Sequence, residues 1–225
     1  MSLPFDEYSL KARIWPAFIV CSPILIFCPL AISRFLNVTQ VAILGMALIA
    51  LMSEIVRHCG IRAEKGLLNE WGGMPSTKIL RWSDQQLSKE YKHKIHQLVK
   101  KKLGTSLSSE QEEEIDPKDS DKKITEAFLT LRNRLRDAKK GSVFQDNINY
   151  GFSRNLFGSR WIWFSCSFFS VIFLILTKES SILALVLAGF YMLVIALVGW
   201  WMMKKHVEHC AMRYVESTWN QLHAL

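Results

Sequence analysis

Nowhere does the chain contain a GxSxG nucleophile elbow, a GxxxxGK[ST] phosphate loop or a GxGxxG dinucleotide fingerprint. Serine hydrolases of that type, P-loop nucleotidases and Rossmann enzymes are therefore not indicated. Cysteine is scarce too: Cys21, Cys28, Cys59, Cys166 and Cys210 form no CxxC pair, so neither a disulfide framework nor a zinc ribbon is indicated. His93 and His96 stand three apart, as do His206 and His209, but neither pair has the acidic or cysteine partners that would close a metal site. The residues point away from an enzyme and call for no cofactor and no metal. Charge is also missing, from two long runs: Ile14 to Ser33 and Ser181 to Met203 contain no ionised side chain.

Those runs belong to a set of four apolar stretches in two tight pairs: Ile14 to Ser33 with Val41 to Val56, and Trp161 to Thr177 with Ser181 to Met203. About 20 apolar residues cross the hydrocarbon core as a helix, fewer or more where the bilayer adapts. Soluble core helices usually carry polar residues at helical spacing, and these runs do not. A cleaved signal fits poorly, because Asp6 and Glu7 lie in the leader and a second run follows at once. The expected fold is an all-α integral membrane protein, with two transmembrane helical hairpins (12–56 and 161–203) flanking a helical domain (57–160). A C-terminal helix (204–225) completes it.

Basic residues predict the orientation. Lys11 and Arg13 precede the first stretch, while Arg57, Arg62 and Lys65 follow the second. Arg154 and Arg160 precede the third, and Lys204 and Lys205 follow the fourth. The turns inside each pair carry only Arg34 and Lys178. Lys and Arg near span ends stay cytoplasmic, so both termini and the middle domain are expected inside the cell, with the chain in the inner membrane. Trp15, Trp161, Trp163, Trp200 and Trp201 fall near the same ends and are expected as interface anchors. Most of the net charge of +8 lies in the middle domain.

Within that domain the second stretch is expected to continue as a helix and break at Gly72-Gly73, with Pro75 opening a short helix. Ser83 with Gln86 suggests a capping box for a helix ending at Gly104, whose apolar face holds Leu87, Tyr91, Ile95, Leu98 and Val99. Thr105 to Asp121 is expected as a solvated linker. A second amphipathic helix, about Lys122 to Lys140, follows with Ile124, Phe128, Leu131 and Leu135 buried. An antiparallel hairpin of the two would hide both stripes. The C-terminal helix either lies against this domain or forms a stalk through which protomers assemble.

Paired in this way, Lys92, Lys94, Lys100, Lys101 and Lys102 with Arg132, Arg134, Arg136, Lys139 and Lys140 would form a cationic wall. Such a wall attracts phosphodiesters by counterion replacement, with Tyr91, Phe144 and Tyr150 as candidate stacking faces; the competing reading is a solvated or headgroup-facing surface. In the first stretch Pro16 and Pro23 share a face, which suits a pore lining or hinge and equally suits plain packing. Glu54 either faces a pore vestibule or pairs with Arg57 or Arg13. Four helices enclose little space, so a pore most easily comes from several protomers around an axis, a tetramer being favoured.

Asn69 to Asp84 (NEWGGMPSTKILRWSD) and Asn147 to Gly158 (NINYGFSRNLFG) resemble two motifs of bacterial four-span WGGxP[ST]T membrane proteins. Within that group the chain is similar to the transmembrane effectors of Hailong-type antiphage defence. The resemblance implies an ion channel that depolarises the membrane during abortive infection. It further implies a nucleotidyltransferase encoded alongside, whose short single-stranded oligodeoxyadenylate products hold the channel closed. No family assignment of binding residues carries over. The expected ligand-binding set therefore rests on charge and position: Lys92, Lys94, Lys100, Lys101, Arg132, Arg136, Lys139, Lys140 and Arg154. Trp71, Gly72, Gly73, Pro75 and Asn155 are expected to form, with Arg154, a collar that couples ligand occupancy to the spans.

A non-conducting scaffold that recruits a cytoplasmic partner is the main alternative. A transporter is disfavoured, because Glu54 is the only ionisable group inside an expected span. The topology has a direct check. Protease added to intact spheroplasts should leave the chain uncut around Glu112, and should cut there once the membrane is permeabilised.

Overall fold

The computed structural model describes residues 6–32, 37–135, 141–177 and 181–224, with the side chains of 29–32 excepted. Arg34, Lys178, Arg136, Lys139 and Lys140 lie outside the described residues. The chain is all-α. A helical turn Glu7–Ser9 and a π-helical segment Leu10–Ile14 lead into α1 (Trp15–Ile32). Then follow α2 (Val38–Glu70), α3 (Pro75–Lys78), α4 (Lys89–Leu103), α5 (Glu110–Ile115), α6 (Pro117–Leu135), α7 (Ser142–Gly158), α8 (Arg160–Thr177) and α9 (Ile182–Leu197). A second π-helical segment, Val198–Met202, leads into α10 (Met203–Asn220), and a 3₁₀ turn Gln221–His223 ends the fold. Four helical stretches are long and apolar enough to cross a membrane: Glu7–Cys28, Val38–Lys78, Arg160–Thr177 and Ile182–His223.

The helices form two compact units, residues 1–65 with 148–208, and residues 66–147 with 209–225. In the first unit α8 packs against both α1 and α9. Phe27, Leu174 and Ala188 are buried together there, with Val171, Leu185 and Tyr191 around them. The Ser22 and Tyr191 hydroxyls meet at 2.6 Å, giving each polar group a partner where lipid would offer none. Pro16 and Pro23 are buried on this packed face of α1. The apolar part of α2 is different: Val38, Ile43, Leu44, Met46 and Leu51 are exposed. Trp15, Trp161, Trp200 and Trp201 are exposed, whereas Trp163 is buried inside the unit.

The second unit has its own core, in which Leu80, Ile95, Val99, Ile124, Phe128 and Leu131 meet Val215, Trp219 and Leu222. The end of α10 thus lies against this unit rather than standing off as a stalk. Trp219 packs at a tilt against Phe128, ring centres 5.4 Å apart, and donates from Nε1 to the Ser76 carbonyl at 3.3 Å.

Three local expectations change. Ser88, not Ser83, caps α4, its hydroxyl accepting from Tyr91 N. The capping box suggested at Ser83 fails because the Ser83 N–H and hydroxyl are both taken by the Glu113 carboxylate. The linker is largely exposed, as expected, but mostly helical rather than coil. Ser109 and Glu112 form a true capping box for α5, and Pro117 opens α6. Most consequentially, α4 and α6 run in the same direction. Arg81 sits at the start of both, receiving Lys92 Nζ at its carbonyl and forking onto Asp121 with bonds of 2.7 and 2.6 Å. At their far ends Arg134 donates to the Lys102 carbonyl at 2.7 Å. A parallel pair buries the same two stripes as an antiparallel one. The buried charge of Glu113 decides for it, drawing the return segment back to the Trp82 and Ser83 amides.

His96 lies against the Trp82 ring at 4.6 Å, and its Nε2 is buried without a hydrogen-bond partner among the described residues. Burial lowers its pKa from 6.5 to about 4. The unfolded chain therefore takes up a proton near pH 6.5 that the folded chain refuses until about pH 4. Stability from this group is complete above pH 6.5 and falls progressively as the pH drops through that window. Unfolding followed from pH 7 to pH 4 should show this decline in the wild type and a flatter profile in His96→Gln.

Candidate functional site: a polar tie on α7 and a basic helix end

The site residues expected from the sequence fall in two places. The first is built on α7 in the first unit. Pro16 has no N–H to give the carbonyl four residues back, that of Ala12. The widened π-helical turn at Leu10–Ile14 precedes it, as is usual where a helix must relieve a proline ring. The Ala12 carbonyl accepts from Asn155 Nδ2 at 2.6 Å, and Asn155 is almost fully buried. A Cβ on Gly60 would overlap the Asn155 side chain, and one on Gly158 would lie 2.5 Å from the Cys59 carbonyl oxygen. Glycine at both positions lets α2 and α7 cross with backbones nearly touching.

One turn away Glu64 accepts from the Tyr150 hydroxyl and from Arg154 Nη1, the latter at 3.1 Å. The Arg154 guanidinium also covers the Tyr150 ring, 5.6 Å from its centre. Burial first, then the Glu64 charge, pushes the Tyr150 hydroxyl well above its ordinary pKa, so it stays a donor. Arg154 was expected to bind ligand; here it is spent on Glu64. Nothing in the spacing of the sequence singled out Glu64 or Gly60, because both are far from α7 along the chain. The unexplained N-Y-G-F-x-R-N pattern was the available signal, and its residues are accounted for by helix crossing.

The second place lies in the other unit. Gly72 (φ +74°) and Gly73 (φ +126°) end α2 in the left-handed region, with Gly73 N donating to the Leu68 carbonyl at 2.9 Å in a Schellman-type closure. Trp71 offers its carbonyl to Lys78 Nζ at 3.2 Å, and Pro75 opens α3. The collar residues are thus divided: Trp71, Gly72, Gly73 and Pro75 belong to one unit, Arg154 and Asn155 to the other, and each group has partners of its own.

Lys92 leaves the expected cationic wall. It is fully buried, its ammonium bonded to the carbonyls of Arg81, at 2.6 Å, and of Asp84. Burial pulls its pKa down. Lys94, Lys100, Lys101 and Arg132 are exposed. Parallel packing brings Lys100, Lys101, Lys102, Arg132 and Arg134 to the C-terminal ends of both helices, where the helix dipoles favour positive charge. Among the described residues none of these five is in a salt bridge. Tyr91 is committed to Asn220 and Tyr150 to Glu64 in the other unit, so the expected stacking faces are not gathered there. Glu54, expected at a pore vestibule or in a pair, is paired: Arg57 lies at 3.2 Å and Arg13 at 3.9 Å.

Among the described residues no group of three or more His, Cys, Asp or Glu side chains is placed to hold a metal ion. Comparison of the chain with protein-family models, with curated proteins and with solved structures finds no match.

The Asn155 tie has a double-mutant signature. Asn155→Ala should destabilise the solubilised chain by about 1–3 kcal/mol, the cost of a buried group losing its partner. Pro16→Ala restores an N–H to the Ala12 carbonyl, so the same change in that background should cost less. Melting temperatures of the four proteins give the coupling, and strict additivity would dissolve the proposed link.

Proposed function

We propose that the chain is a homo-oligomeric transmembrane effector of bacterial antiphage defence, conducting ions and gated by an anionic nucleotide or single-stranded oligonucleotide. It resides in the inner membrane with both termini and the second unit in the cytoplasm. The observation that carries the ligand reading is the gathering of Lys100, Lys101, Lys102, Arg132 and Arg134 at one helix end, without carboxylate partners among the described residues. Five such cations in water attract a polyanion electrostatically, and binding then weakens steeply with salt. The exposed apolar length of α2 supports assembly of several copies, a tetramer being the favoured form, with conduction along the shared axis. The likeness of Asn69 to Asp84 and Asn147 to Gly158 to four-span effectors supports a short deoxyadenylate chain as the ligand and a nucleotidyltransferase as the partner that makes it. Ligand occupancy reaches the membrane through α2, α7 and α10, each of which contributes residues to both units.

Cells expressing the chain alone should depolarise, as read by a voltage-sensitive dye, and should recover when the nucleotidyltransferase is co-expressed. A potential unchanged in both states removes conduction and leaves a scaffold that recruits a cytoplasmic partner. Lys101→Ala with Arg132→Ala should weaken oligodeoxyadenylate binding and reduce the salt slope by about 1.4, because each cation removed leaves one phosphate of a single strand with its counterions.

A further inference from the structure

Arg160 opens α8 at the level of the tryptophans, and it is an arginine without an acid. Its guanidinium lies 4.1 Å above the Phe157 ring and 6.0 Å from the Trp200 ring. Nη1 donates to the Phe157 carbonyl at 2.9 Å. No carboxylate pairs with it among the described residues. Stacking occupies the face of a guanidinium, and with Nη1 given to the Phe157 carbonyl the Nε and Nη2 donors remain, set in the fork that suits phosphate. The close approach of α8 to the π-helical turn holds it there: a Cβ on Gly199 would stand 3.4 Å from Arg160 Cβ. Trp161 packs edge-on against Trp200 at 4.7 Å. Around this bracket the surface is apolar and uncovered, with Trp161 61 %, Trp201 76 % and Met202 58 % exposed. Lys205, one turn beyond Trp201, is exposed as well.

Two properties must be met by whatever sits here. It must be anionic at the depth of an aromatic belt, and it must tolerate indoles and a thioether at its side. Inorganic phosphate meets the first and gains nothing from the second, and a nucleotide, whose base can stack on an indole, has no acyl carbons to cover the apolar surface around it. A phospholipid meets both, its phosphate facing the guanidinium and its glycerol and acyl carbons covering the tryptophans. We infer that Arg160, bracketed by Phe157 and Trp200 and flanked by Trp161 and Trp201, is a binding site for the headgroup of an anionic phospholipid. The inference rests on the apolar helices being in a bilayer and is independent of conduction or gating.

The full chain, purified in a mild detergent and titrated with phosphatidylglycerol or phosphatidylcholine, shows retained lipid directly by native mass spectrometry. The wild type should retain phosphatidylglycerol in preference to phosphatidylcholine. Arg160→Gln should lose about fivefold in retention, the contribution of one basic residue at an anionic surface, whereas Lys205→Gln should change it less. Where Arg160→Gln does not fold, Trp201→Ala, which alters only an exposed ledge, decides in its place by lowering retention. Equal retention of the two lipids by the wild type would overturn the inference. So would a folded Arg160→Gln that holds phosphatidylglycerol like the wild type, or full displacement of the lipid by millimolar inorganic phosphate.

Discussion

A proline inside a helix leaves a carbonyl without its helical donor, and where protein encloses that carbonyl, as at Ala12, no water is at hand to take the donor's place. The first unit is arranged around this constraint. Pro16 opens the Ala12 carbonyl, and Asn155 closes it from another helix. For Asn155 to reach so far inward, α7 must lie directly on α2, which glycine at positions 60 and 158 permits. Once the backbones are that close, Glu64 is within reach of Tyr150 and Arg154. The Tyr150 hydroxyl and Arg154 Nη1 then satisfy the Glu64 carboxylate, which would be costly in isolation.

The second unit solves a related problem with buried charge. Glu113 is nearly enclosed and accepts from the Trp82 amide, the Ser83 amide and the Ser83 hydroxyl. Lys92 is fully enclosed and donates to two carbonyls. Together they hold the turn after α3 in one conformation, and that turn sets where α4 and α6 begin. The basic ends of those helices are consequently fixed by groups at the opposite ends. Charge gathered in this way costs little structurally, since it complements both helix dipoles.

Parts of this were legible along the chain. The four apolar helices follow from the length of the uncharged runs, and the break after α2 follows from two consecutive glycines, because both are local properties. The core stripes Ile95/Val99 and Ile124/Phe128/Leu131 followed from helical period alone. Lys92 was misplaced because it lies beside other lysines, and period does not reveal that a carbonyl pair waits for its ammonium. Thr105 to Asp121 is largely exposed, as its acidic composition suggests, but composition says nothing about one carboxylate, Glu113, that finds buried amides. Arg154 looked free because its partner is 90 residues away.

Composition and periodicity, then, determine by themselves that this protein is all-helical, that four of its helices are apolar enough for a bilayer, and which faces of the amphipathic helices are buried. Those properties depend only on neighbours within a turn or two. Tertiary structure alone decides that α4 and α6 are parallel, that α10 closes the second core, and that Asn155 serves the Ala12 carbonyl. Each of these is a choice among arrangements that bury similar apolar area. Hydrophobic burial is non-directional, so the choice falls to directional bonds between residues distant in the chain.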